Sequence, residues 1–215
     1  MKTAPVVQLE PEEIARGHPF SDPTHIASDV NSLRFMIDQL CLFLESPHLY
    51  SHSPRPIIVH RPTPEKWLYR LVVAEPDHLM QRASLTFVGF LGQRRSDANI
   101  ALADEFDQTL VGAIPDHPGL LGYSTMGLIS GNFSNLVIFS NPEAKAQWSR
   151  SNAHAQAAGR LAPDYYLSIR LYNGALSRGL SDSQSLQLTR IKYFDYQANP
   201  WWQAIRELED ESAHG

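Results

Sequence analysis

The chain has 215 residues, 43% of them hydrophobic and 19% charged, with a formal net charge of −5. That size suits one elaborated domain, or one and a half, with a core that needs no staples; with no Lys/Arg cluster larger than Arg94-Arg95, nucleic acid is not an expected partner. Cys41 is the single cysteine, which excludes an intrachain disulfide and a Cys-based metal site, and neither a signal-peptide core nor the roughly 18 apolar residues of a membrane span is present. A soluble, cytoplasmic protein is the expectation.

Residues 1–23 carry Pro5, Pro11, Pro19 and Pro23 without sustained periodicity, and read as an extended arm. Residues 28–45 read as a helix capped by Ser28 or Asp29, with Val30, Leu33, Ile37, Leu40 and Leu44 at helical spacing. After a turn-rich loop, residues 57–60 and 65–75 alternate as two strands of a hairpin. Trp67, Tyr69, Leu71 and Val73 share one face, and Leu68, Arg70 and Val72 the other. His48, His52 and His60 have no carboxylate at a matching interval and read as solvated histidines.

From Ser84 the order becomes regular. "SLTFVGFLGQR" is a strand, and "SDANIALADEFDQTLVGAI" a helix capped by Ser96 or Asp97 with Ile100, Ala103, Phe106, Leu110 and Ala113 inward. "LLGYSTMGLI" and "NFSNLVIFS" are strands joined by Ser130-Gly131. Pro142 opens a second helix, Pro163 ends it, and "DYYLSIRLYNG" is a further strand. The succession is β-α-β-β-α-β, the ferredoxin-like unit. "LQLTRIKYFDY" adds a strand, and "PWWQAIRELEDE" reads as a short helix with an acidic end.

The segments "HPGLLGYSTM" and "NLVIFSNPEAKAQWSRSNAH" resemble the dimeric α+β-barrel superfamily, in its antibiotic-biosynthesis-monooxygenase-like branch. The resemblance covers about residues 84–174. It implies a four-stranded antiparallel sheet with two helices on one face, pairing with a second copy to enclose a barrel. The expected organisation is an arm (1–23), a helix-and-hairpin extension (24–83), the barrel domain (84–196) and a C-terminal helix with acidic tail (197–215).

The candidate site lies in the second helix and the strand after it. Ala144, Trp148, Ser151, Ala155 and Ala158 form a small-residue stripe that lets the helix approach the sheet closely, and His154 sits about 100° from Ala155 on its border. An imidazole there can act as base near neutrality or be a border histidine satisfied by a carbonyl or water; Arg150, one turn earlier, disfavours its charged form. On the strand, Tyr165, Leu167, Ile169 and Leu171 belong under the helices, and Tyr166, Ser168, Arg170 and Tyr172 on the barrel side. A mid-strand arginine needs water, a carboxylate or an anion, so Arg170 meets either a ligand or an acidic group of a partner subunit. Tyr123 shares a face with Leu121 and Thr125 and lines either the pocket or the helix side, while His117 orders a turn.

The resemblance implies a cofactor-independent monooxygenase-like enzyme acting on an aromatic or enolisable apolar substrate, in a homodimer. His154 serves as base, Arg170 and Tyr166 as anion stabilisers, and Trp148, Tyr172 and Tyr123 as walls. The competing readings are a non-catalytic ligand-binding or structural dimer, and a divergent heme protein. Heme-degrading relatives carry an Asn on the first strand and a His about ten residues after the helix Trp. Here "LTFVGFL" has no Asn and Ala158 stands at the second position, so that pattern is broken.

Overall fold

The computed structural model describes residues 5–62, 68–128 and 132–208. Among them nine strands form one open sheet: β1 (Val7–Leu9), β2 (Ile57–Pro62), β3 (Leu68–Val73), β4 (Leu85–Arg94), β5 (Leu120–Gly127), β6 (Phe133–Phe139), β7 (Tyr166–Leu176), β8 (Leu186–Asp195) and β9 (Trp202–Glu207). Their order is β1-β9-β8-β7-β4-β6-β5-β3-β2. β1 runs parallel to β9, and the other neighbours are antiparallel.

This corrects the expected fold class. The four strands of the β-α-β-β-α-β run do lie together, as β7-β4-β6-β5, but they are the centre of a larger mixed sheet and enclose no barrel. The physical reason is the first long helix, α1 (His25–Leu44). Its Leu33, Met36, Ile37 and Leu40 are at most 1% exposed and pack against Tyr69, Leu71, Phe87, Leu136 and Tyr172 of the sheet. At about 1.5–3 kcal/mol per buried side chain, α1 covers the face that a second copy's sheet was expected to cover. Gly89 permits the contact, since a Cβ there would lie 2.7 Å from the Leu33 methyls. The helix begins three residues before Ser28, so Asp29 is inside it and caps nothing.

On the opposite face lie α3 (Ile100–Gly112), α4 (Pro142–Ser149), α5 (Asn152–Gln156) and α6 (Ala162–Tyr165), the last two joined by a π-helical turn over Ala157–Leu161. A short α2 (Pro76–Gln81), not anticipated, links β3 to β4. Asn99 caps α3 through its side chain, displacing the expected caps Ser96 and Asp97. The helix expected to run on from Pro142 is broken at Arg150, where Ser151 starts a new turn by accepting from the His154 N–H at 3.2 Å.

The C-terminal helix is also corrected. Residues 202–207 form β9, with Ala204 and Arg206 buried on one face. Sheet pairing on both sides overrides the helix propensity of Ala, Arg, Glu and Gln. The arm is not loose: β1 pairs with β9, and the fully buried Arg206 ties down the segment from Glu10 to Ser21. Its Nε donates to the Glu10 carbonyl at 3.2 Å, Nη2 donates to the carbonyls of Glu13 and of Ser21 (3.0 Å for Ser21), and Nη1 donates to the Tyr193 hydroxyl. β2 and β3 pair as the expected hairpin, with Tyr69, Leu71 and Val73 on one face and Arg70 and Val72 on the other; Trp67 and the side chain of Leu68 lie outside the described residues, as does the expected Ser130-Gly131 turn.

Candidate functional site

Between the sheet and α3–α6 lies a cavity of about 880 Å3. Strand register builds its floor. One row runs Arg70, Thr125, Asn135, Phe90, Leu171, Lys192 across β3, β5, β6, β4, β7 and β8. The next runs Tyr123, Val137, Val88, Asn173, Arg190, Glu207 from β5 to β9. The floor is therefore polar at both ends and apolar in the middle. Small residues of the roof, Ala103, Ala157, Ala158 and Ala162, also line the cavity. The small-residue stripe was expected to bring helix and sheet together; past Trp148 it leaves space instead. No residue of α3 is buried, and Ile100 is 54% exposed.

Packing at one edge and an ion pair at the other help to hold the roof. Ala144 and Trp148 of α4 pack on Val72, Ile114, Leu120 and Phe139. At the β3 end, Arg70 makes a two-pronged ion pair with Asp107 of α3 (Nη2–Oδ1 2.6 Å), and the Tyr123 hydroxyl donates to the same carboxylate at 3.3 Å. Burial works against the Arg70 charge, but the bonds and charge of Asp107 outweigh it and raise its pKa. Burial, reinforced by Asp107, pushes the Tyr123 hydroxyl up to about 12, so it remains a donor. Asn135 Oδ1 and Arg70 Nε are shielded from solvent and have no hydrogen-bond partner among the described residues.

Four of the six residues singled out from sequence line this cavity: Tyr123, Trp148, His154 and Tyr166. Trp148 lies edge-on to both His117 (centroids 4.9 Å apart) and His154 (6.2 Å), so the His117 ring braces a wall of the cavity. Burial lowers the His154 pKa, opposed in part by a backbone group of Ser149, so near neutrality the imidazole is uncharged. Burial also raises the Tyr166 hydroxyl well above its ordinary value.

Arg170 and Tyr172 are not with them. A bulge at Leu167, where Gln93 pairs with Ser168 and Arg94 with Tyr166, turns Tyr166 to the helix side and separates it from Arg170. Arg170 Nε donates to Asp29 Oδ2 at 2.6 Å and Nη2 to Oδ1 at 3.0 Å, while the Tyr172 hydroxyl donates to Oδ2. The acidic partner expected from another subunit thus comes from α1 of the same chain. Arg170 lines a second, smaller cavity of about 450 Å3 beside α1, and Tyr172 is completely buried. The reading from sequence missed Arg70, Asp107 and Asn135. The signal for Arg70 was available, since it is a charge in a strand that alternates cleanly.

Among the described residues no helix is long and apolar enough to cross a membrane, and no three His, Cys, Asp or Glu side chains gather as a metal site. No family model matches the chain, and no curated protein matches it in sequence. Among solved structures it is similar to protein SO0527 from Shewanella oneidensis, with 11% identity over 44% of this chain and 94% of that one, at a TM-score of 0.38. It is also similar to an aldoxime dehydratase, with 16% identity over 67% of this chain and 40% of that one, at a TM-score of 0.31. An aldoxime dehydratase in complex with butyraldoxime gives 15% identity, 65% and 38% coverage, and a TM-score of 0.27. The chain thus matches about two fifths of the length of these dehydratases, and likenesses so distant assign it neither family nor activity.

Proposed function

We propose that the large cavity binds an elongated, mostly apolar small molecule and that His154 acts on it as a base. The observation that carries this reading is the cavity itself. Val88, Phe90, Val137, Ile169 and Leu171 form a floor that is roofed with alanines and not filled with side chains. Protein interiors are close-packed, and about 880 Å3 falls within the range of roughly 300–1,000 Å3 for ligand sites. The solvent-shielded Asn135 Oδ1 and Arg70 Nε support it further, because buried polar groups without partners are costly unless a ligand or water meets them.

In the enzymatic form, the uncharged His154 takes a proton from a carbon next to a carbonyl of the bound molecule. The C–H electron pair stays behind as an enolate, and Tyr166, kept protonated by burial, is the tyrosine donor available to its oxygen, the Tyr123 proton being given to Asp107. In the monooxygenase-like version the enolate carbon then bonds to dioxygen, which is reduced to the peroxide level and takes the proton back from His154 to give a hydroperoxide. The test has two arms. The uncharged fluorophore N-phenyl-1-naphthylamine is expected to bind one per chain, and Ala103→Phe or Ala157→Phe to abolish binding without unfolding the protein; binding unchanged in both variants sinks the cavity reading. For acetophenone in heavy water, exchange at the methyl is expected to fall by about 10²–10⁴-fold in His154→Ala, and an unchanged rate leaves a binding protein only.

One observation favours a heme reading as well, since a neutral imidazole inside a cavity of this size suits an iron ligand. If heme is held, His154 is the residue that would ligate it, supplying the iron with a nitrogen donor. A Soret band in the freshly purified protein, lost in His154→Ala, selects that reading over the cofactor-free one.

A further inference from the structure

The apolar floor ends at β7 and β8 in a group of cations. Lys145, near the start of α4, donates from Nζ to Asn173 Oδ1 at 3.2 Å. Asn173 stands opposite Arg190 in the β7–β8 register, and Lys192 stands opposite Leu171 in the next row. All five residues line the cavity. Arg190 is occupied, paired with Glu207 at 2.7 Å. Neither Lys145 nor Lys192 has a carboxylate partner among the described residues.

We infer that this end of the cavity is an anion subsite, in which Lys145 and Lys192 take the carboxylate of an elongated apolar acid whose tail lies along Leu171 and Phe90. The inference rests on reading the cavity as a ligand site and adds the chemical class of the ligand. Like charges gathered at a helix N-terminal turn oppose one another and the helix dipole, and a bound anion relieves both. Lys145 already carries that cost: burial first, then the charges of Lys192 and Arg190, lower its pKa. With Asn173 accepting from Lys145, its NH2 group is a further donor to the anion. The other polar end fixes the ligand's reach. Asn135 lies on β6 and Lys192 on β8, three strand steps apart across β4 and β7, or about 14 Å at the usual strand spacing. That distance is spanned by apolar floor, which suits an acid with a chain or aromatic tail.

The experiment is displacement of N-phenyl-1-naphthylamine by decanoate and by 1-decanol, at low and high salt. Decanoate is expected to displace it at a concentration at least about tenfold lower than decanol, with the advantage shrinking in salt. Lys145→Met and Lys192→Met should each lower the potency of decanoate relative to decanol about fivefold or more. Equal potency of acid and alcohol overturns the inference while leaving the cavity reading intact. So does an unchanged acid preference in the Lys145→Met/Lys192→Met double variant. If the fluorophore itself fails to bind, the cavity reading falls and the subsite with it.

Discussion

Asp29 is 4% exposed and takes four hydrogen bonds, two from Arg170, one from Tyr172 and a long one from the Ser28 hydroxyl at 3.5 Å. Removing one partner leaves the other charge buried and unpaired, which costs about 3–5 kcal/mol. Asp29→Ala is therefore expected to lower the urea midpoint sharply while leaving fluorophore binding in the large cavity unchanged in whatever fraction stays folded. A midpoint equal to wild type would remove this pair from the core. His154 gives a pH signature. Burial lowers its folded pKa, so below the unfolded value of about 6.5 the unfolded chain takes the proton first. Stability contributed by the neutral ring is present above that value and declines as pH falls below it. Between about pH 7 and pH 5 the wild type should lose more stability than His154→Asn. Equal losses would mean that the ring is not buried in solution. The residues followed different routes to recognition. Trp148 and His154 could be found from helical spacing, whereas the partner of Arg170 lies 141 positions away and no local pattern announces it.

At the scale of elements, bulges and clamps decide which face a side chain takes. The bulge at Leu167 sends Tyr166 and Arg170 to opposite sides of one strand; strict alternation puts them together. A second register shift comes after Asn173, and there a Cβ on Gly174 would lie 2.1 Å from the Gln187 carbonyl oxygen. Gly174→Ala must push β8 away from β7, and a loss of about 1–3 kcal/mol is expected in chemical denaturation; no loss would show that β8 yields freely. Arg206 clamps the arm through carbonyl groups with no carboxylate to match, so Lys cannot replace its planar fork. Arg206→Lys is expected to open the arm to limited proteolysis near residues 10–21, well before the rest of the chain is cut. An arm as resistant as in wild type would place its anchorage in β1 alone.

At the scale of the whole molecule, the two faces of the sheet are treated differently. Beneath α1 the helix has large apolar side chains and a glycine opposite them, and the face closes except for the smaller cavity beside its N-terminal half. Beneath α3–α6 the helices have alanines and are held at their edges by Trp148 and by the Arg70–Asp107 pair, and the face stays open. The expected homodimer used the first face, which α1 of the same chain now covers.

Length, charge balance and period-two or helical alternation determined the central run of strands and helices, the hairpin, the apolar stripe of α1 and the candidacy of Trp148 and His154. These are local properties, carried by residues a few positions apart. Tertiary structure alone decided that 202–207 is a strand, that among the described residues the sheet extends to nine strands without closing, and that Arg170 meets Asp29 instead of a ligand. In each case the deciding contact joins segments far apart in the chain, and its free energy outweighs the local preference that the sequence displays.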